Sequence, residues 1–192
     1  KIIEIGGGTG EQSLCYALWG GEVTIMEPNE ISCRRAKSIY ERCGQEVTVI
    51  QDSLFQADLS ILANYDVLIC EGVLQHTYDP RHGLSLILEA MAFGTVAIIS
   101  IAESHGWFKR DLQRRLVRSL SDGSEADIRR VSKLYFQKHI DRAVKFGLRS
   151  EETVIYDTYV NPQILVTPLS EICRRFLENH IFHLGSYPSL HS

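Results

Sequence analysis

A chain of 192 residues, 44% hydrophobic and 23% charged, can bury one sizeable core and is neither a disordered nor a fibrous composition. A net charge of −4 and no recognisable RNA or DNA module argue against nucleic acid as a partner. No apolar run is long enough for a membrane span and no signal-peptide pattern appears. The five cysteines form no Cys-x-x-Cys pair and no zinc spacing, so reduced thiols in a cytoplasmic protein are expected, with no metal site.

The chain opens on Lys1-Ile-Ile-Glu-Ile-Gly-Gly-Gly-Thr-Gly10, a short apolar strand carrying Glu4, then a glycine loop, then a helix start near 11–19. A start inside a strand, without Met, is expected of a piece of a longer protein. Strand, glycine loop and helix make the nucleotide-binding corner of a Rossmann-like sheet. The spacing is G-x-G-x-G, not G-x-G-x-x-G, because position 11 is Glu. A dinucleotide rests its pyrophosphate on the helix N-terminus, where Glu4 and Glu11 would repel it. Two carboxylates suit a ligand bringing an ammonium and a sulfonium. With its acid two residues before the first glycine, this stretch resembles the first motif of class I S-adenosylmethionine-dependent methyltransferases. The resemblance implies that Glu4, Gly6, Gly7, Gly8 and Gly10 bind S-adenosylmethionine, with S-adenosylhomocysteine as product.

The second strand, 22–27, ends on Glu27, where the methyltransferase pattern places an acid that grips both ribose hydroxyls. A solvated acid at a strand end is the plain alternative. A helix near 30–43 follows, with Asn29 as N-cap and Cys43-Gly44 as its stop. After the third strand, 47–51, come Asp52 and Ser53. The resemblance implies that Asp52 accepts from the adenine amine; Asp is also a good cap, and both readings can hold together.

The fourth strand, 65–71, closes on Glu71 and leads into Gly72-Val-Leu-Gln-His-Thr-Tyr-Asp-Pro80. Acid, Val-Leu, His and Asp-Pro in this order resemble the loop of small-molecule methyltransferases such as those of ubiquinone biosynthesis. Glu71 is then a cofactor residue. His76 is a general base for a hydroxyl substrate or, with more weight, a wall of the pocket. No Asn/Asp-Pro-Pro-Tyr follows this strand, which disfavours the usual amino methylation of adenine or glutamine. Cys70 precedes Glu, not Pro, and reads as a buried thiol rather than a nucleophile. A helix near 81–93 and a strand at 95–102, apolar on both faces as an interior strand should be, complete the alternation.

Residues 104–150 are a predicted helical insertion after the fifth strand. They hold 12 Lys+Arg and 5 Asp+Glu, net +7, against 8 and 19, net −11, in the remainder. Phe108, Leu112, Leu116 and Leu120 form an apolar stripe; Ile128, Val131, Tyr135 and Val144 suggest a second. The expectation is a cap over the acceptor side, drawing in an acidic acceptor or pairing with a second copy as a homodimer; the bland alternative is a solvated basic hairpin. Tyr156, Asp157, Tyr159 and Asn161 precede the last helix, near 169–179, in the segment that lines the acceptor site of related enzymes. Packed tyrosines of a core are the other reading. A sixth strand is predicted at 181–184, and a seventh has little room in 185–192.

The whole predicts an α/β fold: one domain over 1–192, a Rossmann-like, mostly parallel twisted sheet with helices on both faces, plus the insertion. The expected function is methyl transfer to a small-molecule O, N or C acceptor. The alternatives are a non-catalytic methyltransferase-like binding module and an NAD(P)-dependent oxidoreductase.

Overall fold

Five short apolar segments, β1 (Ile2–Ile5), β2 (Val23–Met26), β3 (Thr48–Ile50), β4 (Val67–Cys70) and β5 (Val96–Ile99), pair in parallel in the order β3-β2-β1-β4-β5. The computed structural model describes residues 1–147 and 149–187. Parallel strands need crossovers, and helices α1 (Glu11–Leu18), α2 (Glu30–Arg42) and α3 (Pro80–Ala90) supply three of them. The strand order reverses direction at β1, so β1 and β4 flank the switch point where such sheets bind ligands, outside their carboxyl ends.

The period-2 alternation of the strands divides two cores between the faces of this sheet. Val23 and Ile25 meet Ala17 of α1 and Ala36 and Tyr40 of α2 on one side. Ile3, Ile5, Met26, Leu68 and Cys70 pack with Leu84, Ile87 and Leu88 of α3 on the other. Ile172 of the last helix, α7 (Leu169–Glu178), joins that second cluster. Local signals set the helix ends. Asn29 Oδ1 accepts from Ser32 N at 3.0 Å, and Gly44, at φ +64°, closes α2. Asp79 Oδ1 accepts from Arg81 N and His82 N with Pro80 at the first helical position, so the Asp-Pro pair serves as the start of α3.

Two expectations for the sheet are corrected. The strand at β5 was expected in the interior but lies at an edge, with Val96 and Ile98 exposed. The segment 181–184 forms no strand: Phe182 and Leu184 are exposed, and no ladder hydrogen bonds reach it. The Ile181-Phe-His-Leu184 run has β character but pairs with neither edge strand of the sheet, β3 or β5. Of the stretch 185–192, Gly185–Tyr187 are irregular, and residues 188–192 lie outside the described residues.

The chain divides into two compact units, residues 1–102 with 165–192, and Glu103–Ile164. The second contains α4 (Ser104–Leu120), α5 (Glu125–Gly147) and α6 (Glu151–Ile155), which runs into a π-turn at Tyr156–Val160. It has its own buried cluster of Val117, Ile128, Val131, Ile140, Val154, Ile155 and Tyr159. The unit is longer than the 104–150 insertion marked by charge because Val154, Ile155 and Tyr159 complete this core. Glu103 caps α4, accepting from His105 N and Gly106 N. Burial works against its charge, but those amides and the Ser104 and His105 side chains hold its carboxyl down at about 2.

The apolar stripe of α4 lies on a helix, as its spacing predicts. Phe108, Leu112, Leu116 and Leu120 are all exposed, while Arg114 and Val117 are the buried residues. Arg114 donates to the carbonyls of Thr158 (2.9 Å) and Asn161 (2.8 Å), and Arg118 donates to those of Val160 and Asn161. The π-turn leaves carbonyls without helical partners, and the guanidinium groups satisfy them. On α5, Ile128 and Val131 are buried and Val144 packs against them, but Tyr135 is exposed.

Candidate functional site

The strand-to-helix turn after β1 works only with glycine at three positions. Gly6, Gly8 and Gly10 have φ of +68°, +54° and +77°. Their surroundings differ. A Cβ at Gly6 would stand 2.4 Å from Val73 Cγ2, and one at Gly10 2.7 Å from Ile25 Cδ1, so these two glycines let the loop pack on its neighbours. A Cβ at Gly8 would meet nothing within 4 Å, so Gly8 carries open space above its backbone.

Glu27, closing β2, is buried and joins the loop to the next helix. Its Oε2 accepts from Gly8 N at 3.0 Å and its Oε1 from Asn29 N at 2.9 Å. The acid expected to grip a ribose therefore also fixes the glycine loop. Each carboxylate oxygen retains a lone pair for a hydroxyl donor.

Glu4 lies beneath the loop, 6% exposed. Its Oε2 has no hydrogen-bond partner, and a Cβ at Gly7 would come within 2.9 Å of it. Burial pushes its carboxyl up; hydrogen bonds from Ser13 work the other way, and the charges of Glu71 and Glu11 add to the rise. A buried, under-satisfied carboxylate with two more acids near it makes a negative field that a cation relieves and a pyrophosphate does not.

Asp52 and Ser53 follow β3, both half-buried. Asp52 Oδ1 accepts from Ser53 N and Ser53 Oγ from Phe55 N, the turn-capping role weighed above. Glu71 follows β4 and accepts from Gln12 Nε2 of α1; Gly72 N donates to Ser100 Oγ at 2.7 Å. His76 ends a short 3₁₀ turn, Leu74–His76, and is half-buried. Glu4, the glycine loop, Glu27, Asp52, Ser53, Glu71 and His76 thus all lie at the carboxyl ends of β1 to β4. Gln12, Val73 and Ser100 were not anticipated, because their roles arise from pairing across the sheet. Gln75 was also missed: it is buried, its Oε1 lacks a partner, and its carbonyl accepts from Leu165 N.

Tyr156, Asp157, Tyr159 and Asn161 belong to the second unit. Tyr159 is fully buried, stacked on Phe136 at 5.8 Å and bonded to His139 Nδ1 at 3.0 Å, the core-tyrosine alternative. Asp157 pairs with Arg149, Asn161 Oδ1 accepts from Gln163 N, and Tyr156 is exposed. A cavity of about 400 Å³ is lined by Lys1, Glu22, Ile50, Ile61, Asn64 and Tyr65, none of them a predicted site residue. Among the described residues no group of His, Cys, Asp or Glu could hold a metal ion, and no helix is long and apolar enough to cross a membrane.

The open backbone at Gly8 and the orphaned oxygen of Glu4 fit a ligand that brings positive charge to the loop. Among curated proteins none matches the sequence. In fold the chain is similar to PKMT2 from Rickettsia typhi, with a TM-score of 0.74 at 15% identity over 96% of this chain and 39% of that one. The same protein in complex with AdoHcy gives 0.72 at 15% over the same shares. The PH0226 protein from Pyrococcus horikoshii OT3 gives 0.50 at 15%, over 58% of this chain and 53% of that one. This chain therefore spans well under half the length of PKMT2. Residues 3–98, from β1 through β5, match the family model described as a methyltransferase domain, and the chain belongs to the class I S-adenosylmethionine-dependent methyltransferases, with S-adenosylmethionine as cofactor.

Proposed function

We propose that this protein transfers a methyl group to an O, N or C atom of a small-molecule acceptor. The observation that carries the reading is the Glu27 carboxylate on the Gly8 amide, which makes the acid ending β2 and the loop ending β1 one site. When bound, S-adenosylmethionine supplies a methyl group on a positively charged sulfur. Gly8 leaves room for close approach, and Glu27 accepts from ribose hydroxyls. Glu4 and Glu71 set a negative potential beside a cationic centre. Asp52 accepts from the adenine amine. His76, in the loop after β4, walls the pocket or takes the acceptor's proton; much of the remaining catalysis comes from alignment and exclusion of water. The order of residues in that loop supports a small-molecule acceptor.

Calorimetric titration tests this. S-adenosylhomocysteine should bind and NADH should not, and Glu27→Ala should weaken binding by about 1.5–3 kcal/mol, the scale of a charged hydrogen bond. NADH binding without response to S-adenosylhomocysteine would overturn the reading.

A further inference from the structure

The second unit holds a cleft of about 380 Å³ lined by Arg110 of α4 and His139, Arg142, Ala143 and Phe146 of α5. Positions 139, 142, 143 and 146 share one helical face. We propose that this cleft binds an oxyanion, the phosphoryl or carboxylate group of a small acidic ligand.

Most arginines of this unit are otherwise engaged, while Lys145 lies over the Phe146 ring at 6.0 Å. Arg115, Arg129, Arg130, Lys133 and Arg149 pair with carboxylates, and Arg114 and Arg118 with carbonyls. Arg110 and Arg142 form no ion pair among the described residues. The acids beside them in sequence turn elsewhere, Asp111 to Arg115 and Asp141 to Gln137. Both guanidinium groups rest on aromatic faces instead, Arg110 on Trp107 at 5.1 Å and Arg142 on Phe146 at 5.8 Å. That contact orients a planar fork without using up its donors, which suits bidentate recognition of an oxyanion. Among the described residues no carboxylate lines the cleft.

His139 completes the donor set. Tyr159 is fully buried, burial pushes its phenol up to about 12, and its hydroxyl lies 3.0 Å from His139 Nδ1. With the phenol as donor in that bond, the neutral ring carries its hydrogen on Nε2 and is itself a donor. The charged and titratable groups facing the ring are Lys109 and Arg110 on α4, Arg142 on its own helix, and Tyr159. Burial, then those three cations, holds the imidazole below its ordinary value. An anion in the cleft offsets both.

This inference does not depend on the methyl-transfer reading. The experiment is a titration of the 15N-labelled protein with inorganic phosphate and, separately, with succinate, following the His139 ring nitrogens. Saturable shifts with a rise in the His139 pKa are expected for at least one of the two, and the tighter one identifies the group. Arg110→Gln and Arg142→Gln should each weaken that binding by about tenfold or more. Both side chains are exposed, so the variants should keep the melting profile and the affinity for S-adenosylhomocysteine. Shifts at His139 no larger than those at His82 with both anions would overturn the proposal. So would a short single-stranded oligonucleotide that occupies the cleft roughly a thousandfold tighter than phosphate, with steep salt dependence, because the partner would then be a polyanion.

Discussion

A methyl group added at Gly8 meets no heavy atom within 4 Å, so Gly8→Ala acts on the fold only through backbone conformation. Holding alanine at φ +54° costs about 1–2 kcal/mol. Against a typical stability of about 5–15 kcal/mol the variant stays folded. Gly6→Ala carries the same conformational cost at φ +68° and places its methyl 2.4 Å from Val73 Cγ2, adding about 1–3 kcal/mol for overpacking. The two should therefore separate. Gly6→Ala should show the larger loss in a urea denaturation series. Gly8→Ala should keep most of its stability yet bind S-adenosylhomocysteine at least about tenfold more weakly, about 1.4 kcal/mol, because the methyl fills the space in which the loop approaches its ligand. Unaltered binding by Gly8→Ala would refute the loop as the cradle. A loss of stability equal to that of Gly6→Ala would refute the open space above Gly8.

Reversing Arg114 to Glu should unfold the second unit, and Arg114→Met should cost about 1.5–3 kcal/mol for the charged hydrogen bonds to Thr158 and Asn161. Arg115→Glu, on the exposed i,i+4 pair with Asp111, should stay within about 0.5 kcal/mol by denaturation. Thiol titration of the native protein should label Cys15, Cys43 and Cys173 and spare Cys33 and Cys70. Burial, with smaller contributions from Glu71 and Glu4, pushes the Cys70 thiol up to about 12; rapid labelling of it would contradict its place in the core. His139 has a folded pKa below its unfolded one, so the unfolded chain takes up the proton first as pH falls. Its contribution to stability is complete above about pH 6.5 and is lost as pH drops through the folded value. Denaturation at a series of pH values should show that slope, and His139→Gln should flatten it.

The cofactor corner was legible because its constraints are local. Buried parallel strands are apolar runs, a left-handed turn needs glycine, and Asn29 and Gly44 mark helix ends in any context. The second role of Glu27, holding the Gly8 amide, was not legible, since it depends on strands 19 residues apart lying side by side. Periodicity shows which residues share a face but not which face is covered. Phe108, Leu112, Leu116 and Leu120 keep helical spacing yet stand in solvent, while Arg114 is buried because a π-turn distant in sequence exposes carbonyls to it. Tyr159 was read for its chemistry and for its bulk, and only packing against Phe136 shows the second at work.

Among the described residues β5 has a neighbouring strand on one side only, and that edge governs how the chain behaves once it opens. Thr95–Ala102 contains no charge and no proline, and Val96 and Ile98 are already exposed in the folded state. Such a segment is a template for strand addition between unfolding chains. Heating should end in concentration-dependent aggregation, so that a melting temperature reports a rate and shifts with scan speed. A lysine at Ile98 should make the same scan reversible at concentrations where the unaltered chain precipitates.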